Sequence, residues 1–279
     1  MQADVLTTPA SATYDVKPDS PMGGLVVVQG LKGVNARYTK ELRERFGYSA
    51  TWFPTLAVSP GDVGRMDGYQ FERLCGLADL DVPFAVRVGK AKGTIKYASS
   101  EGVEVSVGGS ASAATVPLVT AGASVSITFS REGAIWFQAE DCVPDAIEDL
   151  FALETAILAR HAAGEWDDDL VVVTEVIRAA RGTVIISGAN QGGIDLHVDG
   201  PAAGAVAAAG MRIVRSRNIA TQVVGHGDLT PLFRAKGIKR SLIRRPALET
   251  RLDGSSAAGR TTQQIPDVAF VEVDYESFA

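Results

Sequence analysis

Few residues of this 279-residue chain are of types that could do chemistry: three histidines, two cysteines and some closely spaced carboxylates. His226 stands in Gly225-His226-Gly227-Asp228, read as a loop in which an imidazole beside an acid could serve as a general base. A hydrolase also needs a nucleophile within reach of that base. The chain has no Gly-x-Ser-x-Gly elbow, no phosphate-binding glycine loop followed by Lys-Ser/Thr, and no His-Glu-x-x-His helix. His161 and His197 gain no such partners from the sequence, and a hydrolase using His226 ranks last among the readings.

The other candidates have plainer roles. Asp145 and Asp149 are spaced one helical turn apart and are expected to serve a helix N-terminus rather than acid/base catalysis. Asp167-Asp168-Asp169 lacks the spaced ligands and glycine of a calcium loop and reads as a solvated turn. Gly200, Gly204 and Gly210 lack dinucleotide spacing. Cys75 and Cys142 give neither metal-ligand spacing nor a disulfide framework and are expected to be inert buried thiols. No catalytic residue, metal or cofactor is therefore expected.

Charge is the stronger signal. The chain carries a net −6, but ten acids between Glu140 and Asp169 face only Arg160, a net of −9. Ten Lys and Arg between Met211 and Arg251 face only Asp228 and Glu249, a net of +8. Within the basic region Arg234, Lys236, Lys239, Arg240, Arg244 and Arg245 alternate with Leu232, Phe233, Ile238, Leu242 and Ile243, a basic amphipathic pattern suited to anionic lipid. Phe233 is its single aromatic, so base stacking has little support and no nucleic-acid partner is expected. The competing reading is a solvated face, or one paired with the acidic segment.

The elements that must position these residues are mostly strands. The chain is 46% hydrophobic but only 7% aromatic, which favours a core of small and β-branched side chains. Residues 1–24, with Pro9, Pro18 and Pro21, read as a flexible arm. Asn35 is expected to cap a helix running to Phe46, with Tyr38, Leu42 and Phe46 on one face and Gly47 as its stop. Trp52 to Asp81 reads as turn-rich. Phe84, Val86 and Val88, then Val103, Val105 and Val107, then Ala123, Val125, Ile127 and Phe129 alternate with other residues as two-faced strands do. No charged residue lies between Ser106 and Ser130.

A helix of about five turns is expected from Pro144 to Gly164. Leu170–Ile177 and Thr183–Ser187, the latter including Ile185, read as a hairpin split at Arg181-Gly182, and Ile194, Leu196 and Val198 as a further strand. Ala202–Gly210 is a loop or weak helix, and Thr250–Gln264 a polar linker. The expected organisation is an arm (1–24), one domain (25–249), and a linker with a tail (250–279) that is either a lid or a final strand. The fold class is α+β, a twisted, mainly antiparallel sheet with flanking helices. The first thirty residues have no basic start followed by an apolar segment, so a cytoplasmic location is expected. No run of about 18 apolar residues predicts a membrane helix.

The passage from Gly164 through Val171-Val172-Val173-Thr174-Glu175-Val176, after an acidic helix, resembles the helix-to-strand passage of gasdermin pore-forming domains. The charge-free stretch Ser106–Ser130 is similar to that family's first membrane-inserting region. Thr183–Val198 corresponds to the second, and Val268–Val273 looks like the closing strand. The resemblance covers roughly residues 84–200 and implies a gasdermin-N-domain-like fold in a latent pore-forming protein of bacterial defence by cell death. It implies binding to anionic membrane lipids at the inner face of the cell membrane, homo-oligomerisation, β-hairpin insertion and activation by a protease. The inserting residues would be Val103, Val105, Val107, Ala123, Val125, Ile127, Phe129, Ile185, Ile194, Leu196 and Val198. Two features depart from the family. The first cysteine is Cys75, whereas bacterial gasdermins carry one near the N-terminus, and a large C-terminal inhibitory domain like that of the animal proteins is not expected. The alternative is a non-catalytic interaction module whose strands stay in a soluble sheet.

Overall fold

β-branched and small apolar residues dominate 170–187 and 219–240, and such side chains favour extended backbone on a pleated, buried surface. In the computed structural model, residues 27–28, 32–51, 57–99, 102–108, 110–112, 124–198, 211–240 and 268–273 are described. Expectations on residues 1–24, Ala123, 202–210, Arg244, Arg245 and 250–264 lie outside them.

The chain begins with β1 (Val27–Val28), α1 (Lys32–Phe46), β2 (Ser49–Ala50) and the hairpin β3 (Asp62–Asp67) and β4 (Gln70–Gly76). Short strands follow: β5 (Val86–Val88), β6 (Gly93–Ala98), β7 (Val103–Val107), β8 (Ser110–Ser112) and β9 (Ser124–Phe129). Then come β10 (Ile135–Ile147), α2 (Leu150–Ala162), β11 (Leu170–Ser187), β12 (Gly192–Val198), β13 (Met211–Arg217), β14 (Ile219–Arg240) and β15 (Val268–Glu272). The strands form two antiparallel sheets. The larger runs β1-β14-β11-β10-β5, with β2 and β15 also on β14, β3–β4 on β11 and β6 on β10; the smaller runs β13-β12-β9-β7-β8. The mainly antiparallel α+β class is as expected.

In α1, Tyr38 and Leu42 are fully buried and Phe46 packs beside them against the large sheet. Gly47 ends the helix at φ +70°, its N–H donating to the Arg43 carbonyl at 2.8 Å. The helix starts three residues before Asn35, which lies inside it and accepts a hydrogen bond from Thr39 Oγ1. Within the stretch read as turns, β3 and β4 pair and reverse at Asp67-Gly68.

Three expectations change. The helix expected from Pro144 begins at Leu150, where Asp149 accepts the Ala152 N–H at 2.8 Å as its cap. Pro144 and Asp145 lie in β10, because pairing with β11 on one side and β5 on the other outweighs the local helix signals. Asp145 therefore serves no helix N-terminus. It forms a charge-assisted pair with Arg178 on the neighbouring strand, 2.5 Å apart.

The hairpin expected at Arg181-Gly182 is one continuous strand, β11. Gly182 lies mid-strand between Ala139 and Gly225, and a Cβ there would come within 3.0 Å of the Leu229 side chain. The glycine makes room for packing, not a turn. Likewise Gly225-His226-Gly227-Asp228 is no loop. It lies within the 22-residue β14, His226 opposite Arg181, where the ladder shifts register and Gly227 takes φ +99°. The tail ends as a strand: β15 pairs with β14, and Phe270 and Val273 are buried.

Candidate functional site

The residues singled out as inserting strands converge on the small sheet. Val125 lies opposite Leu196, and Ile127 opposite Ile194, so β9 and β12, from two separate regions of the sequence, are direct neighbours. On the other side of β9, Val103, Val105 and Val107 face Phe129, Ile127 and Val125. Val198 continues β12 opposite Met211. Ile185 belongs to β11 of the large sheet.

On β7, β9 and β12 one face is apolar, while the flanking strands add Ser110, Ser112 and Ser216 to it by register. Val105, Val125 and Ile127 are fully buried, and Phe129, Ile194 and Leu196 nearly so, in a cluster completed from the large-sheet side by Ala134, Trp136 and Ile185. The other face is hydroxyl-rich. Ser124 and Thr128 are exposed, and Ser126 Oγ donates to Asp195 at 2.6 Å. Strands with this alternation can exchange a protein core for a hydrocarbon one without altering their register. At the end of the sheet an open cleft of about 520 Å³ is bordered by Glu104, Phe129, Gln191 and Arg217.

The described part of the basic segment lies in β14. It is strand, so its side chains alternate between faces, and Leu232, Phe233, Ala235 and Ile238 fill core positions between the cations. Arg234 is engaged on all sides: Nε donates to the Gly47 carbonyl at 3.0 Å, Nη1 is 3.4 Å from Glu175, and Cζ sits 4.1 Å over the Tyr48 ring. Lys236 Nζ lies 5.6 Å over Phe270. Lys239 is exposed, while Arg240 is placed only as a strand residue opposite Val268.

Half of the ten acids of the 140–169 segment pair with arginines elsewhere. Arg181 binds Glu140 at 3.1 Å and Asp141 at 3.4 Å, and Arg65 binds Asp169 at 2.7 Å. His161 Nε2 lies 2.6 Å from Asp168 Oδ1, which ties the triple-aspartate turn to the end of α2. Burial pushes the Cys142 thiol up to about 11, making it a poor nucleophile, while Cys75 is partly exposed. Among the described residues no three His, Cys, Asp or Glu gather as a metal site, and no helix is long and apolar enough to cross a membrane.

Sequence reasoning passed over the segment around β5. Phe84, Val86 and Val88, expected to face a core, are 36%, 38% and 54% exposed, because β5 lies at the margin of the sheet. The signal was legible: Pro83–Ser100 contains Arg87, Lys90, Lys92 and Lys96 and no acid. No protein-family model matches the chain, and no curated protein matches it.

Proposed function

We propose that the protein is a latent membrane-permeabilising protein of gasdermin-like kind, whose small sheet is the part that enters the bilayer. The observation that carries this reading is the two-faced construction of β7, β9 and β12: a continuous apolar face sealed against Trp136 and Ile185, and a hydroxyl-rich face in water. In a barrel the first face would meet lipid and the second a water-filled lumen. Short hairpins cannot leave edges unpaired in hydrocarbon, so several copies would have to close a ring. The stored state is the soluble one, with the apolar face covered by the large sheet.

Activation then amounts to separating the small sheet from that cover. A cut in 250–264 would disconnect β15, which pairs with β14 over Val268–Glu272. Dye release from anionic and neutral vesicles, before and after such a cut, tests this directly. Release only after cleavage supports the reading, and no release from either vesicle after confirmed cleavage rejects it. A membrane-soluble photoreactive lipid adds a positional readout, with labelling expected at Val125, Ile127 and Phe129.

The second reading is a non-catalytic interaction module. It is favoured by the completeness of the shared core, since Val105, Val125 and Ile127 are fully buried without any lipid. It predicts no release and no lipid labelling of β9.

A further inference from the structure

The margin of the large sheet formed by β5 and β6 has a chemistry unlike the small sheet's. Phe84, Val86 and Val88 are exposed there; Arg87, on the opposite face of β5, and Lys90, Lys92 and Lys96, which follow one another along the same edge of β10, are exposed as well. The Glu148 N–H donates to the Ala85 carbonyl at 2.9 Å, which holds the residues just before α2 against this strand, and Phe151, in the first turn of α2, is 81% exposed. Bare apolar side chains grouped in this way mark a surface that is covered in use.

Below β5 lies a cleft of about 450 Å³ lined by Arg87, Val88, Lys90, Pro144, Ala146 and Glu175. Glu175 is the single acid among these, and both its oxygens are taken: Oε1 accepts from Tyr48 Oη at 2.6 Å, and Oε2 faces Arg234 at 3.4 Å. The field in the cleft is thus left to Arg87 and Lys90. The other acids nearby are mostly spent. Asp145 pairs with Arg178, Asp149 caps α2 and Asp141 pairs with Arg181 at 3.4 Å, with Lys92 further off at 3.9 Å, leaving Glu148 at the rim.

We infer that this margin docks onto an anionic lipid bilayer, with Lys90, Lys92 and Lys96 at the phosphates and Phe84, Val86, Val88 and Phe151 at the acyl boundary. The charge complementarity is that of a basic interfacial surface. A second copy is the poorer occupant, because symmetric pairing of two such edges sets like charges against each other. The inference names the lipid-contact surface for the reading above, yet its test reads binding rather than permeabilisation. The two can therefore fail separately.

The test is flotation of the uncleaved full chain with phosphatidylcholine vesicles, with and without phosphatidylserine, at low and high salt. Binding to the phosphatidylserine vesicles, weakened by salt, is expected. Lys90→Glu with Lys92→Glu should lower the apparent affinity about tenfold or more, since each cation near an anionic surface matters at about the 1 kcal/mol level. Val88→Ser with Phe151→Ser should lower it at unchanged charge. All four side chains are exposed, so an unchanged melting curve will establish that the variants fold. No binding by the wild type, or binding indifferent to the charge reversals, overturns the inference. So does a concentration-dependent dimer, formed without vesicles and lost in the same variants, which would assign the surface to a second copy. Vesicle binding without dye release after cleavage would leave the docking surface standing and reject permeabilisation.

Discussion

Arg234 lies over Tyr48, its Cζ 4.1 Å from the ring centroid, and both reach the same carboxylate, Glu175. This arrangement joins the end of α1 to the two long strands. Replacing Arg234 with Met keeps much of the stem but leaves Glu175 and the Gly47 carbonyl short of a donor. The expected loss is about 1–2 kcal/mol by chemical denaturation, toward the lower end because the guanidinium is about a third exposed. Arg234→Lys should recover little, since an ammonium cannot hold a ring face, a carbonyl and a carboxylate together. If Arg234 instead served lipid, R234M would lower vesicle binding at unchanged stability.

Stability should fall at alkaline pH. Burial and the hydrogen bond to Glu175 push Tyr48 up to about 12, and burial with the hydrogen bond to Glu41 does the same for Tyr97. The unfolded chain ionises its tyrosines near pH 10, so the folded state retains more protons above that value. Their contribution is full below about pH 10 and is lost as pH rises through about 12. Each tyrosine adds a slope below about 1.4 kcal/mol per pH unit, softened by partial exposure. Cys142, raised to about 11, acts in an overlapping window. Urea midpoints from pH 9 to 12 should therefore flatten in part with Tyr48→Phe, further with Tyr97→Phe added, and further still with Cys142→Ala.

The two thiols should separate kinetically. Cys75 is partly exposed on β4, whereas Cys142 is buried between β6 and β11 with its thiolate disfavoured. A thiol-disulfide reagent near neutral pH should modify one cysteine per chain promptly. The second should react at the rate of local or global opening, and only Cys142→Ala should abolish that slow phase. Two equally fast thiols would mean that the β10 edge opens readily.

The parts of the fold that rest on alternation could be read from the residues alone. Val125, Ile127 and Phe129, and equally Ile194 and Leu196, announce their buried face by strict period two, and Gly47 announces the end of α1. What could not be read is pairing. Nothing local says that β9 and β12 are neighbours across more than sixty residues, nor that Arg181-Gly182 continues a strand, since a glycine chosen for room beside Leu229 has the same letter as one chosen for a turn. The same gap misplaced Pro144. Its local signals are those of a helix start, but hydrogen bonds on both sides of β10 hold it in sheet. Exposure at β5 had one indirect signal, the acid-free run of Arg87, Lys90, Lys92 and Lys96; Phe84-x-Val86-x-Val88 itself looks like a core strand, and its position at the margin shows otherwise.

Thr183 invites a substitution of unusual sign. Its side chain is 2% exposed, and Oγ1 has no hydrogen-bond partner among the described residues, as is also true of Oε1 of Gln138 directly across the β10–β11 pair. A buried hydroxyl without a partner costs free energy, and Val has nearly the same shape with no polar atom to desolvate. Thr183→Val should therefore raise stability by about 1 kcal/mol, read as a higher denaturation midpoint at an unchanged slope. A loss of stability would mean that a bound water satisfies the hydroxyl.

The junction between the sheets offers the most direct link from stability to the proposed function. Ile185 belongs to the large sheet, yet its side chain is 1% exposed within the cluster that covers the small sheet's apolar face. Ile185→Val removes one methyl group from the cover while leaving β7, β9 and β12 untouched, at a cost of about 0.5–1.5 kcal/mol. If activation separates the sheets, this variant should release vesicle contents at a lower protease dose than the wild type. Val176→Ala is the control: it weakens a different cluster, packed with Phe233 and Val58, by a comparable or larger amount. Faster release from Ile185→Val alone would tie permeabilisation to this junction. Equal acceleration by both would mean that general loss of stability governs the event, and the small sheet would lose its special role.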